Sequence, residues 1–226
     1  MTRRSPKRQV PRGSKRPGKP GGVRDTNRKA RKAALIDAAL LLYLDHGVSN
    51  VAVDDITTKA GVAKGSFYRY FEDQEALVEE LIAPARRTLT SALITARDML
   101  EDAVTAEKQI EAYRGIGEAL GALLLESPGP ARLYLQECRA PAVGTRKPIG
   151  ALAKRVIDLA EEVSVVAQKH GLLKPLPVPV TARAVVGAAE RLFLGVLLDE
   201  EMGNVLEIPL ALVTLVVDGL RARSPA

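Results

Sequence analysis

The sequence predicts an all-α protein, with a small N-terminal domain of three helices and a larger helical domain after it. Apolar residues recur at three- and four-residue spacing through most of the chain, which is typical of helices with one buried face. No segment alternates convincingly as a strand does, and prolines interrupt the extended-looking run from Leu172 to Val180. Of the 226 residues, 46% are hydrophobic, so the chain has enough apolar material to bury a core.

Positive charge is concentrated at the start of the chain. The formal net charge is +6, yet residues 1–32 hold 13 Lys and Arg against the single acid Asp25, and the remainder of the chain is net acidic. Residues 1–24 are rich in Pro, Gly and like charges, so we expect a disordered basic arm. The arm either follows the phosphates of a nucleic acid or is a solvated tail that adds only loose attraction.

The composition gives little support to metal, membrane or catalytic chemistry. Cys138 is the single cysteine and His46 and His170 are the only histidines, so no intramolecular disulfide and no zinc site is expected. The longest apolar runs, such as 38–44 and 192–198, are too short to span a membrane, and no secretory signal is recognisable. We therefore predict a cytoplasmic protein that is not an enzyme and has no cofactor and no membrane partner.

The first predicted helix runs from Thr26, a suitable N-cap, to His46, and Gly47 ends it. Its buried face is predicted to contain Leu35, Ala39, Leu42 and Tyr43. Four cations at its start oppose the helix dipole, a placement that is favourable if DNA phosphates lie nearby: Arg28, Lys29, Arg31 and Lys32.

Residues 47–75 predict two short helices joined at a glycine, a helix-turn-helix. Val53, Ile56 and Ala60 line one face of the first helix, and Gly61 permits the left-handed turn after it. The second helix begins near Ala63. Phe67 and Phe71 are predicted to face inward. The start and outer side of this second helix then carry groups suited to contact DNA bases and phosphates: Lys64, Gly65, Ser66, Tyr68, Arg69 and Tyr70. The alternative is a small helical hairpin with a solvated polar face.

Further helices are predicted after this segment. One runs from Asp73 toward Leu100 with a kink at Pro84, unless the helix ends at Ala83 and a new one follows. The next, from Thr105 to Glu126, is ended by the Ser-Pro-Gly-Pro run at 127–130. Later helices are expected at about 131–139, 148–170, 180–200 and 205–222.

The last two predicted helices carry unusually many apolar residues. Helix 205–222 is apolar almost all round, and helix 180–200 has small residues that allow close helix approach. We expect these helices to form a homodimer through a four-helix contact. The alternative is that they close the core of a single chain.

Two segments carry a family resemblance, AALIDAALLLYLDHG and VDDITTKAGVAKGSFYRYFEDQEAL, which together cover about residues 33–77. They resemble the DNA-binding domain of the tetracycline-repressor (TetR) family of transcriptional regulators. Ala52 and Ala63 stand where the family commonly has Ser or Thr, and Gln74 stands where it commonly has Lys. These departures weaken the expected phosphate anchoring, because such positions usually cap helices or contact phosphates.

The resemblance implies a sequence-specific, ligand-released dimeric repressor that binds a double-stranded DNA operator. It divides the chain into the arm at 1–24, a helix-turn-helix DNA-binding domain at 25–72, and a helical ligand-binding and dimerisation domain at 73–226. The effector is expected to be small and mostly apolar. The residues expected to contact the effector are polar or reactive groups on apolar helices: Tyr113, Arg114, Tyr134 and Cys138, with Glu118 and Gln136 as further candidates. The alternative for each of them is that its side chain faces solvent.

Two other functions remain open from the sequence. A helical interaction module would use the basic arm on RNA, acidic protein or a membrane surface, and would bind without sequence preference. A helical enzyme would need a pocket with strongly perturbed titratable groups.

Overall fold

The computed structural model describes residues 23–102, 105–204 and 207–220, which contain ten α-helices and no β-strand. The basic arm predicted at 1–24 lies almost wholly outside these residues. The helices are α1 Val23–His46, α2 Val53–Lys59, α3 Lys64–Phe67, α4 Gln74–Leu81, α5 Ala83–Glu101, α6 Ala106–Glu126, α7 Pro128–Glu137, α8 Lys147–Lys169, α9 Val178–Leu197 and α10 Ile208–Leu220. The all-α prediction is confirmed.

The N-terminal helices pack around a small apolar core. Leu35, Ala39 and Tyr43 of α1 are buried in one cluster with Ile56 of α2 and Phe67 of α3. The chain turns between α2 and α3 at Gly61, whose φ of 65° is the left-handed conformation that costs glycine little. The predicted helix-turn-helix is therefore formed, with α1 packed against α2.

The prediction of a single helix from Asp73 to Leu100 is wrong, because the structure has two helices there. The Asp73 carboxylate accepts the N–H of Ala76 at 2.8 Å and caps α4, which ends at Leu81. Helix α5 starts at Ala83, so Pro84 lies in its first turn, where the missing N–H has no partner to lose. The alternative of a helix end and a new helix is correct, with the break at Ile82.

Residues 128–130 were predicted as a break between helices, yet they form the first turn of α7. The prolines fit because the first turn of a helix does not use their N–H groups. Gly129 allows close packing, since a Cβ there would lie 2.7 Å from Cδ2 of Leu40 on α1. Helix α7 is thereby held directly against the first helix of the N-terminal domain.

Helix α8 is the central packing element for two helices of the larger domain, α5 and α9. Its predicted apolar stripe is buried: Leu152, Val156, Leu159, Val163 and Val166. Gly171, with φ of 68°, follows the end of this helix. Helices α5 and α9 pack on α8, while α6 packs on α5 and α10. None of the helices described in the structure is long and apolar enough to cross a membrane.

Candidate DNA interface and ligand cavity

The second helix of the predicted helix-turn-helix, which we call the reading helix because it carries the candidate DNA-contacting residues, is a single α-helical turn followed by a tighter turn. Helix α3 ends at Phe67, and the backbone continues through bonds from Tyr70 N–H to Phe67 O at 2.9 Å and from Phe71 N–H to the same oxygen at 3.0 Å. The Phe67 and Phe71 rings are buried with centroids 5.6 Å apart. These rings anchor the turn to the core, so its other side faces outward.

Four of the six predicted DNA-contacting residues are exposed: Lys64, Gly65, Tyr68 and Arg69. Lys64 Nζ lies 2.8 Å from Oδ1 of Asp54 on α2, and hydrogen bonding to this carboxylate raises the pKa of the lysine. The Tyr68 ring meets Phe67 edge-on with centroids 5.3 Å apart, which leaves its hydroxyl at the surface. A Cβ at Gly65 would meet no atom within 4 Å, so the surface around it is open.

Ser66 and Tyr70 do not face outward as predicted. Ser66 is buried, and its Oγ accepts a hydrogen bond from Nη2 of Arg69 at 2.7 Å. Tyr70 is half-buried and packs against the core. For Tyr70 the reason is geometric, because the chain tightens after Phe67 and no longer follows the face that a continuous helix would present. Ser66 therefore orients Arg69 instead of projecting from the surface.

Two of the three departures, at Ala52 and Gln74, are also accounted for. Ala52 has no side-chain cap to offer, but its N–H donates to Oδ2 of Asp55 at 2.8 Å. Gln74 points inward, donating to Val51 O at 2.8 Å and to the Tyr43 hydroxyl at 3.2 Å. Burial raises the pKa of Tyr43 to about 12. Gln74 thus ties α4 to the segment before α2 and does not extend toward a phosphate.

Two of the four cations predicted to meet phosphates from α1 are paired within the protein. Lys29 Nζ lies 3.3 Å from Asp25, and Lys32 Nζ lies 2.6 Å from Glu80 and 5.5 Å from the Phe71 ring centroid. Arg28 and Arg31 are exposed, and in the described part of the chain no carboxylate pairs with them. They are the α1 cations most available to an anion.

A cavity of about 150 Å³ lies in the larger domain and is lined by residues of α5 to α10. Leu, Val, Ala and Ile side chains form most of its wall. The polar side chains on the wall are few: Thr88, Tyr113, Tyr134, Ser164 and Glu190. A mostly apolar cavity with a small number of polar groups is the usual character of a small-molecule site.

Two of the predicted ligand-contacting residues line this cavity and two do not. Tyr113 and Tyr134 are on the wall. Arg114 is exposed, because the residue after Tyr113 is turned about 100° around the helix. Cys138 lies just beyond the end of α7, with Sγ directed to Leu135 O at 3.7 Å. Of the other two considered, Glu118 and Gln136 are exposed.

Glu190 is a wall residue that the sequence analysis missed. It falls on the same face of α9 as Ala182, Val186 and Phe193, which all line the cavity. A carboxylate at four-residue spacing within that apolar stripe is the signal that would have found it. The Tyr134 hydroxyl donates to Oε1 of Glu190 at 3.2 Å. Burial and this carboxylate raise the pKa of Tyr134 above its ordinary value.

Cys138 is expected to be nearly inert to alkylation in the folded protein. Burial and the neighbouring Glu190 raise the pKa of its thiol from 9.0 to about 12, so neutral thiol is favoured. At pH 8 the thiolate is then roughly a thousandfold scarcer than for an ordinary cysteine, and alkylation slows accordingly. Iodoacetamide labelling followed by mass spectrometry checks this against the same protein in guanidinium chloride. Equal rates in the folded and unfolded protein would contradict the structure.

No group of three or more His, Cys, Asp or Glu residues suited to hold a metal ion occurs within the described ranges.

Comparison with known proteins assigns the helix-turn-helix to a family. Residues 35–81 match the model of the bacterial regulatory proteins, tetR family. The chain is 40% identical over 63 residues to the HTH-type transcriptional repressor DhaR of Mycobacterium sp. (strain GP1), covering 26% of this chain and 32% of that protein. It is 28% identical over 119 residues to an uncharacterised HTH-type transcriptional regulator of Haemophilus influenzae, covering 50% of this chain and 58% of the relative. It thus spans less than two thirds of either.

The whole fold has solved counterparts. The fatty acid degradation regulator FadR of Bacillus halodurans superposes with a TM-score of 0.61 at 19% identity, covering 84% of this chain and 99% of that one. FadR of Bacillus subtilis, solved in complex with stearoyl-CoA, gives 0.60 at 19% identity, covering 83% and 98%. At such identity the likeness establishes the fold alone. Residues 35–81 thus have the helix-turn-helix of the tetR family of bacterial regulatory proteins, and the chain as a whole has a fold similar to these solved regulators.

Proposed function

We propose that this chain is a sequence-specific DNA-binding transcriptional regulator, acting in the cytoplasm as a dimeric repressor that a small ligand releases from its operator. The observation that carries the proposal is the exposed set of Lys64, Gly65, Tyr68 and Arg69 on a turn anchored by buried Phe67. Cationic and hydroxyl groups over an open glycine suit the edges and phosphates of a major groove. The repressor DhaR, whose helix-turn-helix this chain resembles, supports the sign of regulation.

A homodimer through α9 and α10 is supported by apolar side chains that the single chain leaves uncovered. Val180 of α9 and Leu210 and Leu215 of α10 are exposed, and Ala184 and Ala188 continue the exposed face of α9 in four-residue steps. Exposed apolar area of this kind marks an interaction surface. Two copies would present two reading segments, one exposed turn at residues 64–70 from each copy, to successive major grooves that lie about 34 Å apart.

A hydrogen-bonded connection links the cavity to the reading domain. Tyr134 lines the cavity, and three residues further along α7 the buried Glu137 accepts the backbone N–H of Val48 at 3.0 Å. The other oxygen of Glu137 pairs with Nε of Arg146. A ligand that shifts α7 would therefore move the segment immediately before α2. Such a shift offers a route by which the ligand changes the spacing of the two reading segments.

The experiment that tests this function is selection of bound sequences from random duplexes by the full chain. A dimeric regulator is expected to enrich one near-palindromic site whose half-sites are separated by about one helical turn. Repeating the selection with added cell extract would reveal a releasing ligand as loss of the enriched sequence. Binding without any enriched sequence would instead support a non-specific interaction module and contradict the proposal.

Replacing Lys64 with Ala is expected to weaken the selected site more than random DNA. Lys64 lies on the exposed turn, and within the described residues Asp54, itself exposed, is its one anionic partner. A base contact of this kind contributes about 1 to 3 kcal/mol of discrimination, whereas a phosphate contact weakens all sequences alike. Fluorescence anisotropy on the selected and a scrambled duplex measures the difference. Lys154→Ala, on the larger domain, is the control, and equal losses on both duplexes would assign Lys64 to the backbone.

A further inference from the structure

Glu190 is the single ionisable group with a charge at neutral pH among the described residues that line the cavity. The other polar wall groups are hydroxyls, and one of them, Ser164, already donates to Ala160 O at 2.9 Å. The carboxylate side chain is only 16% exposed. A carboxylate removed from water to this extent requires hydrogen bonds or a positive charge nearby.

Among the described residues, three side chains reach the Glu190 carboxylate: the Tyr134 hydroxyl, the Arg139 guanidinium and the Cys138 thiol. The Tyr134 hydroxyl donates to Oε1 at 3.2 Å. Arg139 Nη2 approaches Oε2 at 3.4 Å, but it also donates to Gly187 O at 2.9 Å, and its side chain is 60% exposed. Arg139 is not part of the cavity wall. A molecule in the cavity therefore meets the Glu190 carboxylate at the wall, whereas the guanidinium that pairs with it is solvated and outside the wall.

We infer that the cavity takes an apolar molecule carrying one amino group or similar cationic donor, which binds the Glu190 carboxylate beside the Tyr134 hydroxyl. The inference deepens the proposed function, since it specifies the chemical class of the releasing ligand. The donor forms a charge-assisted hydrogen bond to the carboxylate, and the rest of the molecule contacts Leu, Val and Ala side chains. A ligand ending in a carboxylate is disfavoured, because it would place a second negative charge against Glu190.

The size of the cavity sets the scale of the probes. At about 150 Å³ the cavity is comparable to one that accommodates a single benzene ring. Three probes share a phenyl ring and differ at the polar end: 2-phenylethylamine, 2-phenylethanol and phenylacetate. The amine is a cation at pH 7, the alcohol is neutral and the acid is an anion, so the set isolates the charge of the head group.

The test is calorimetric titration of the full chain at pH 7 with each probe. The amine is expected to bind about tenfold or more tightly than phenylacetate. The Glu190→Gln variant keeps the size of the side chain and a hydrogen-bonding group. Its affinity for the amine is expected to be about tenfold lower than that of the wild type, while its affinity for the alcohol changes little. Glu118→Gln makes the same chemical change at an exposed position of α6 and is expected to leave all three affinities unchanged.

The results that overturn the inference are equally definite. These are phenylacetate binding as tightly as the amine, an amine preference that survives Glu190→Gln, or no binding by any of the three. Binding of the alcohol to Glu190→Gln shows that the variant folds with its cavity intact. Selection of a DNA site requires no ligand, so failure here leaves the regulator proposal standing, and absence of a selected site would not affect the probe titrations.

Discussion

Replacing Glu137 with Ala is expected to lower the free energy of unfolding by about 3 kcal/mol. The Glu137 side chain is 8% exposed and joins α7 to both the Val48 N–H and the Arg146 guanidinium. Removing it leaves a donor and a largely buried cation without their shared acceptor, which costs much more than loss of a surface ion pair. Urea denaturation followed by circular dichroism measures the change.

Two further variants separate the contribution of the Glu137 connection to the free energy of unfolding from the general effect of removing a charge. Glu75→Ala removes the partner of Lys147 at an exposed pair 2.8 Å apart, and is expected to cost less than about 1 kcal/mol. Glu137→Gln retains an acceptor for the Val48 N–H, so it should fall between the wild type and Glu137→Ala. A loss for Glu137→Ala no larger than that for Glu75→Ala would contradict the described connection between the two domains.

Replacing Leu215 with Asp is expected to convert the dimer to a monomer and to weaken binding to the selected site by about a hundredfold or more. Leu215 is 69% exposed in the single chain, so a polar residue there is compatible with the monomer fold. In the proposed dimer each copy would bury an unpaired carboxylate, and loss of the second reading segment removes its contribution to DNA affinity. Sedimentation velocity and fluorescence anisotropy report the two effects.

Leu125→Asp is the matched control for the proposed interface. Leu125 is 78% exposed on α6, outside the helices expected to meet the second copy. The Leu125→Asp variant is therefore expected to remain dimeric and to keep its DNA affinity. If Leu215→Asp behaves like Leu125→Asp in both measurements, the dimer forms through another surface.

The parts of the fold that depend on local patterning could be predicted from the sequence. The stripe of Leu152, Val156 and Leu159 on α8 follows directly from helical spacing, and the turn at Gly61 follows from its position after an apolar helix face. The break between α4 and α5 was harder, because Pro84 fits both a kink and a first helical turn. The end of α4 at Leu81 and the start of α5 at Ala83 distinguish the two alternatives.

The features that depend on tertiary arrangement could not be derived in the same way. Tyr70 would face outward on a continuous helix, but the chain tightens after Phe67, and the buried Ser66 hydroxyl accepts a hydrogen bond from Arg69. The four-residue spacing of α9 places Glu190 on the apolar face, but its contact with Tyr134 depends on how α7 and α9 pack around the cavity. The connection from Glu137 to Val48 joins residues 89 positions apart, and neither residue signals the other in the sequence.

The most direct measurement of the central claim is the ratio of affinities of the full chain for the selected duplex and for a scrambled duplex of equal length and composition. Both are titrated at the same physiological salt concentration, since non-specific attraction depends strongly on salt. The exposed turn at Lys64, Tyr68 and Arg69 predicts a ratio of roughly a thousand or more. It also predicts a clear fall in that ratio for Lys64→Ala. A ratio near one for the wild-type chain would contradict the assignment of this surface as a sequence-reading site.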